Sequence, residues 1–86
     1  MNMRTPKLTS VVPLEDYSLL IDFENGEQRI FDLTPYLDKG VFRELRDRNY
    51  FAKVRLIFGG VQWPHEQDLS ADTLYLDGVE PARSRH

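Results

Sequence analysis

The chain has 86 residues, 41% of them hydrophobic, and it contains no cysteine. A chain of this length supports one hydrophobic core, and the missing thiols exclude disulfides, thiolate zinc sites, iron–sulfur clusters and cysteine nucleophiles. The net charge of −3, from 11 basic and 14 acidic residues, argues against nucleic-acid binding, because neutralising phosphates requires a basic face. We expect one domain over residues 1–80, a disordered tail over residues 81–86, a cytoplasmic location and no membrane association.

The first predicted elements are a strand and a hairpin. The pattern of Leu8–Pro13 is typical of a strand that ends at its proline. Tyr17–Phe23 and Glu27–Asp32 both alternate apolar with polar residues, and Asn25-Gly26 lies between them. Asn-Gly is a preferred two-residue hairpin turn, because both positions adopt positive φ. The sequence therefore predicts an antiparallel hairpin at this point.

A two-residue turn fixes which residues of this hairpin face each other. It places Asp22 opposite Arg29 and puts Ile30 on the apolar face of the preceding strand. The same register sets Glu24 opposite Glu27, which is a repulsion at the mouth of the loop. A slipped or bulged turn is therefore the alternative.

Two short helices are predicted after the hairpin. Thr34 is a suitable N-cap, Pro35 suits the first helical position, and Gly40 lies just past the end. Asp47 is predicted to cap a second short helix. Three side chains of that helix fall on one face: Tyr50, Phe51 and Val54.

A second hairpin is predicted where Arg55–Phe58 and Val61–Trp63 flank Gly59-Gly60. Pro64 ends it, since proline lacks a backbone N–H for the strand ladder. With the turn at the two glycines, four side chains share one face: Leu56, Phe58, Val61 and Trp63.

The last predicted element is a helix with a complete start signal. Ser70 is the N-cap and Asp72 lies in the first turn, where the helix dipole favours an acid. Leu69 and Leu74 occupy the two positions of a hydrophobic staple, and Gly78 ends the helix. Together the elements predict an α+β domain in which two to three short helices pack on one face of an antiparallel sheet of four to five strands.

One segment carries side chains that could bind a metal, namely one histidine and three acids: His65, Glu66, Asp68 and Asp72. Their spacing matches no zinc motif, so the loop is either a divalent-cation site or a solvated connection. Gly59-Gly60 lies between strands and does not lead into a helix, which argues against a phosphate-binding loop. No set of nucleophile, base and orienting group is recognisable. We expect a protein that is not an enzyme and that holds no cofactor.

Trp63 ends a strand beside this polar loop. It is either a core residue or an anchor for a partner, because Trp, Tyr and Arg dominate binding hot spots. Exposed sheet edges offer a second route to association, including homo-oligomers. The candidate site for a partner or ligand comprises six residues: Trp63, His65, Glu66, Asp68, Asp72 and Tyr75.

The charges are unevenly placed along the chain. Residues 43–55 contain five basic and two acidic residues, a local charge of +3, whereas residues 65–80 contain five acidic and no basic residues, a local charge of −5. Such an asymmetry either belongs to ordinary solvated surface or steers a charged partner. A partner of the acidic segment would be basic.

Four segments together carry a family pattern that spans nearly the whole chain: Phe23–Asp32, Gly40–Leu45, Phe51–Arg55 and Gly60–Tyr75. The last is the most specific, with Trp-Pro followed after a short gap by Asp-Leu-x-x-Asp-Thr-Leu-Tyr. These segments resemble a family of small bacterial proteins, domain of unknown function 2442. The sequence departs from the family at His65-Glu66-Gln67, where members often carry a small or Asn-Gly loop.

The resemblance implies a compact α+β domain without an established activity. Members are often encoded beside a second small domain, an arrangement suggestive of a toxin–antitoxin pair. Two functions follow as hypotheses. The first is a non-enzymatic module that binds a protein partner, with antitoxin-like neutralisation as one form. The alternative is a small-ligand or divalent-metal-binding domain centred on the loop from Trp63 to Asp68.

Overall fold

The computed structural model describes residues 5–81, and it confirms the α+β class with antiparallel pairing. The six strands of this part of the chain are β1 (Leu8–Pro13), β2 (Ser18–Phe23), β3 (Gln28–Asp32), β4 (Arg55–Ile57), β5 (Gly60–Gln62) and β6 (Asp68–Ser70). The helices are α1 (Arg48–Phe51), α2 (Ala71–Asp77) and two 3₁₀ helices, Thr34–Tyr36 and Gly40–Arg46. The strands form two sheets, β1-β2-β3 and β4-β5-β6, where the sequence predicted one.

The first hairpin has a longer loop than predicted. Asp22 lies opposite Gln28 and not Arg29. The N–H of Gly26 donates to the carbonyl of Phe23 at 3.0 Å, and the N–H of Phe23 donates to the carbonyl of Glu27 at 2.9 Å. Gly26 has a φ of 89°. This is the three-residue connection in which a turn is followed by a left-handed glycine. In this register Glu24 no longer lies opposite Glu27, so the repulsion expected for a two-residue turn does not arise.

The one-residue slip changes which face of β3 reaches the core. Phe31 pairs with Leu19 and is buried, whereas Ile30 is only half-buried and bridges to Val79. The prediction that Ile30 lies on the apolar face is therefore wrong. Side chains alternate along a strand, so a shift of one residue moves every side chain of that strand to the opposite face.

The second hairpin turns at Phe58-Gly59 and not at Gly59-Gly60. Leu56 pairs with Val61, and Phe58 is 98% exposed. The predicted shared face is correct for Leu56, Val61 and Trp63, because Leu56 lies directly opposite Val61, although Leu56 is 39% exposed and the other two are buried. Phe58 lies outside the strand, in the turn, and is not part of that face.

Gly60 is part of β5 for a steric reason. A Cβ atom at this position would lie 2.1 Å from the carbonyl oxygen of Leu69 on the neighbouring strand. The turn is made instead by Phe58 and by Gly59, which has a φ of 85°. A turn with positive φ only at its second central residue has the type II pattern.

The predicted caps of α1 and α2 are confirmed. The Asp47 carboxylate accepts from the backbone N–H groups of Asn49 and Tyr50, and the Ser70 hydroxyl accepts from that of Thr73. These bonds satisfy N–H groups that have no partner inside the helix. The staple residues of α2, Leu69 and Leu74, are both buried.

The predicted cap at Thr34 is wrong. The 3₁₀ helix Thr34–Tyr36 follows Leu33, and no side chain caps it. The Asp32 carboxylate accepts from both the N–H and the hydroxyl of Thr34. Gly40, predicted to follow a helix end, begins the next 3₁₀ helix with a φ of 45°. The hydroxyl of Thr34 is therefore bonded to Asp32 and does not cap the helix.

One apolar cluster joins the two sheets and the helices. Its buried members are Leu19, Ile21, Phe23, Phe31, Leu33, Leu45, Phe51, Val61, Trp63, Leu69 and Leu74. Within residues 5–81 we find no helix that is long and apolar enough to cross a membrane. The predicted tail, apart from Pro81, lies outside the described residues.

Candidate partner-binding surface

The loop between β5 and β6 has the same two backbone hydrogen bonds as the loop of the first hairpin. The residue with positive φ differs: it is a glycine in the first loop and a glutamate in this one. The N–H of Trp63 donates to the carbonyl of Gln67, and the N–H of Glu66 donates to the carbonyl of Trp63, both at 2.9 Å. Glu66 has a φ of 78°, in the place where Gly26 stands in the first loop. A side chain in the left-handed region costs about 1–2 kcal/mol. This loop therefore holds an exposed acid at an energetic cost.

Trp63 belongs to the core. Its side chain is fully buried, and its indole Nε1–H donates to the carbonyl of Phe51 at 2.9 Å. The hydrogen bond satisfies the one polar atom of the indole. Of the two interpretations of Trp63, the structure supports the core residue.

Gln67 anchors the loop from beneath and is 2% exposed. Its Oε1 accepts from the Tyr50 hydroxyl at 2.6 Å, and its Nε2 donates to the Val41 carbonyl at 2.8 Å and to Oε1 of Glu44 at 2.7 Å. Sequence reasoning missed this residue, because glutamine is ordinary in a polar loop and its partners lie 17 to 26 positions away.

His65 closes the same network at the surface. Its Nδ1 lies 2.7 Å from Oε2 of Glu44, its ring centroid lies 5.3 Å from that of Tyr50, and its backbone N–H donates to the Tyr50 hydroxyl. Hydrogen bonding from His65, and then from Gln67, lowers the pKa of Glu44 below its ordinary value of 4.5. His65 therefore braces the loop against the 3₁₀ helix Gly40–Arg46.

The predicted metal ligands are not brought together. Among residues 5–81, no group of three or more histidine or acidic side chains could hold a metal ion. Glu66 and Asp68 are exposed, and His65 contacts Glu44. Asp72 instead accepts a hydrogen bond from the Thr5 hydroxyl, on the N-terminal segment.

Tyr75 docks the inner face of α2 onto the first sheet. Its ring packs edge-on against the ring of Phe23, with the two ring centroids 5.1 Å apart. The guanidinium carbon of Arg29 lies over the Tyr75 ring, 4.5 Å from its centroid. Nε of Arg29 also donates to the Tyr75 carbonyl at 3.2 Å. Hydrogen bonding to Glu27 raises the pKa of the Tyr75 hydroxyl. With these contacts Tyr75 holds the helix in place.

The end of α2 and the segment after it expose apolar and acidic groups, which we call the α2 exposed surface (Leu76, Asp77 and Val79). Leu76 is 73% exposed and Val79 is 63% exposed. Asp77 is exposed, and it makes no ion pair with any residue of the 5–81 segment. It also ends the helix, where the dipole favours a cation and opposes an acid.

A groove of about 510 Å³ lies on another part of the surface, which we call the Phe58 groove. Its walls come from the N-terminal segment, the turn between β4 and β5, and the start of α2, and they include Pro6, Lys7, Leu8, Phe58, Ala71 and Asp72. The residues whose backbone hydrogen bonds form the β5–β6 loop, Trp63, Glu66 and Gln67, do not line this groove.

Residues 8–80 match the family model described as "Protein of unknown function (DUF2442)". The chain belongs to the DUF2442 family. The match begins with β1 and extends beyond α2, so the family pattern covers both sheets. No curated protein and no solved structure is detectably similar to this DUF2442 chain.

In this DUF2442 protein the six candidate site residues fall into four places. Trp63 lies in the core, Tyr75 lies on the inner face of α2, and Asp72 lies at the Phe58 groove. The β5–β6 loop and its continuation hold the remaining three: His65, Glu66 and Asp68. The structure adds two surfaces that the sequence did not reveal, at Leu76 and at Phe58.

Proposed function

We propose that this DUF2442 protein is a non-enzymatic binding module that docks a basic partner protein on the α2 exposed surface. The observation that carries the proposal is the adjacency of Leu76, an apolar side chain that is 73% exposed, and Asp77, an exposed acid that forms no ion pair among the described residues. A partner with an apolar patch and a neighbouring lysine or arginine would cover both.

Neither the exposure of Leu76 nor the position of Asp77 at the end of α2 stabilises the folded chain. Leu76 points away from the core and leaves apolar surface in water, which is unfavourable in proportion to its area. Asp77 opposes the helix dipole at a cost of about 0.3–1 kcal/mol. Glu66, an exposed acid held at a φ of 78°, is a further acidic residue at an unfavourable position. Acids that cost stability on an exposed surface are consistent with selection for binding.

The contacts of the histidine support a role other than catalysis. Among residues 5–81, His65 is the one histidine, and its ring contacts Glu44 and Tyr50. General-base catalysis of a nucleophile requires the base to be within hydrogen-bond reach of it. The ring is instead held in the brace that fixes the β5–β6 loop.

Antitoxin-like neutralisation is the form of binding that the family resemblance suggests. In this form, the DUF2442 chain covers the working surface of a small basic protein. An acidic antitoxin also suits such a partner electrostatically, because opposite charges raise the rate of encounter at low salt. The partner would then be encoded and produced together with this chain.

Affinity capture from the source cells tests the proposal. The tagged chain is purified in parallel with Asp77→Lys and with Asp16→Lys, a control that reverses an exposed acid in the β1–β2 turn. We expect a basic protein, identified by mass spectrometry, with wild type and Asp16→Lys and not with Asp77→Lys. Equal recovery of the partner by all three forms, or recovery of an acidic partner, would contradict the proposal.

A further inference from the structure

Phe58 is the most exposed of the large apolar side chains in the described part of the chain, at 98%. It occupies the tip of the two-residue turn between β4 and β5, so its position is fixed by the strands on both sides. Large apolar side chains that lie fully in solvent are typical of residues that become buried in an interface. The residue therefore points to an associating surface.

The Phe58 groove lies directly beside this side chain, and Phe58 forms part of its rim. Its volume of about 510 Å³ falls within the ~300–1,000 Å³ of pockets that hold a drug-sized ligand, so it has room for a phenyl ring. Pro6, Leu8 and Ala71 supply apolar wall. One patch thus contains both a protruding aromatic ring and a recess that suits such a ring.

We infer that the occupant of this groove is a second copy of the chain, in a two-fold dimer in which each copy inserts Phe58 into the groove of the other. A two-fold interface uses the same patch on both subunits, so the patch must be complementary to itself. A ring and a recess that lie side by side meet this condition. Each Phe58 becomes buried, and both grooves are filled by one symmetric contact.

The charged residues at the groove are also complementary to themselves across a two-fold axis. Lys7 and Asp72 both line it, and neither forms an ion pair with a residue between Thr5 and Pro81. Asp72 accepts one hydrogen bond from Thr5, which leaves other lone pairs of the carboxylate available. Across a two-fold axis, Lys7 of each copy meets Asp72 of the other. Two ion pairs then flank the two inserted rings.

This dimer is independent of the proposed partner surface, because it uses none of Leu76, Asp77 and Val79. Two copies joined at the Phe58 groove leave both α2 exposed surfaces free for a basic partner. The experiments can therefore support or contradict the proposed dimer and the proposed partner binding independently.

Sedimentation equilibrium of the full chain measures the association directly. We expect a concentration-dependent dimer, and we expect Phe58→Ser to raise its dissociation constant about 30-fold or more, the size of a hot-spot effect. Val41→Ser removes a side chain that is 66% exposed elsewhere and serves as the matched control, with an unchanged constant. Thermal unfolding checks that each variant is folded.

Mixing two charge variants tests the geometry itself. In Lys7→Glu, acids face acids across the axis, and in Asp72→Lys, lysines face lysines, so we expect each variant alone to dimerise at least about tenfold more weakly than wild type. A mixture of the two restores both ion pairs. We therefore expect a heterodimer that forms more tightly than either homodimer, as measured by native mass spectrometry.

Three outcomes would overturn the inference. A full chain that stays monomeric up to its solubility limit excludes the dimer. A chain that dimerises only after residues 1–4 are removed assigns the groove to its own N-terminal residues. A dimer that is unaffected by Phe58→Ser, with no preference for the mixed pair, places the interface elsewhere.

Discussion

Nε2 of Gln67 lies 2.7 Å from Oε1 of Glu44, and this hydrogen bond ties the β5–β6 loop to the 3₁₀ helix Gly40–Arg46. The other oxygen of Glu44 contacts His65, and the other end of the Gln67 amide accepts from Tyr50. Within residues 5–81, every buried polar side-chain atom has a hydrogen-bond partner. The loop that leads into β6 and α2 is therefore fixed by bonds to two separate elements.

Replacing Gln67 should destabilise the protein. Gln67→Leu keeps a similar size and removes all three amide hydrogen bonds, which leaves the Val41 carbonyl and the Tyr50 hydroxyl without this partner. We expect a loss of about 1–3 kcal/mol in the free energy of unfolding, measured with urea. Gln28→Leu, at an exposed position of β3, is the control, and we expect a change within about 0.5 kcal/mol. Equal effects of the two substitutions would show that the network adds no stability.

The pH dependence of stability should include a contribution from Glu44. Its pKa in the folded protein is lowered, chiefly by His65, so the folded state binds fewer protons than the unfolded state. This contribution is present above the ordinary pKa of 4.5 and is lost as the pH falls through the lowered value. We expect the free energy of unfolding to fall less steeply with acid in Glu44→Gln than in wild type. Parallel acid profiles would contradict this assignment.

A glycine at position 66 should stabilise the protein. Glu66 adopts a φ of 78°, and the equivalent position of the first hairpin holds Gly26. Removing about 1–2 kcal/mol of strain, offset by the greater freedom of glycine in the unfolded chain, leaves an expected gain of about 0.5–1 kcal/mol for Glu66→Gly. Glu15→Gly, an exposed acid without positive φ, should lower stability instead. Thermal unfolding of both variants should give a higher unfolding temperature than wild type for Glu66→Gly and a lower one for Glu15→Gly.

The two adjacent glycines of the second hairpin should respond differently to substitution. Gly60→Ala sets a Cβ against the backbone of Leu69, and neither strand can move without breaking its pairing. We expect a loss of about 3 kcal/mol or more. Gly59 has open space and positive φ, so Gly59→Asn should cost less than about 1 kcal/mol, because asparagine tolerates this conformation. Equal losses at the two positions would place the turn elsewhere.

Local signals in the sequence predicted the fold class and the caps of α1 and α2. Asp47 and Ser70 bond to N–H groups within three positions of themselves, so their roles depend on short stretches of chain. Both hairpin locations were also predicted. The register of the first hairpin follows the slipped turn that was the alternative, and the register of the second was wrong because its loop is decided by a non-local contact. Gly60 must lie against Leu69, and this contact moves the turn to Phe58.

The candidate site was harder to predict for the same reason. An apolar residue in a helix is expected to face the core, and only the packing of Leu74 and Tyr75 shows that Leu76 does not. The alternation that correctly placed Val61 and Trp63 on one face also placed Phe58 there, although Phe58 is exposed. The brace at Gln67 depends on three segments that meet only in the folded chain. Side-chain exposure, which decides between core and surface for aromatic residues, is a property of the tertiary structure.

The family pattern recognised in the sequence is confirmed by the match over residues 8–80. Its most specific segment contains both a core residue, Trp63, and the start of α2. Glu66 in the same segment adopts positive φ, a conformation that glycine and asparagine adopt more readily than glutamate.

Titration of the purified partner against Asp77→Lys tests the central claim most directly. A lysine at the end of α2 interacts favourably with the helix dipole, so the variant should unfold at the same temperature as wild type or higher. Calorimetry should nevertheless show the partner bound about tenfold more weakly or worse, with Asp16→Lys unchanged and with wild-type affinity falling as salt is added. Wild-type affinity in Asp77→Lys would contradict the account.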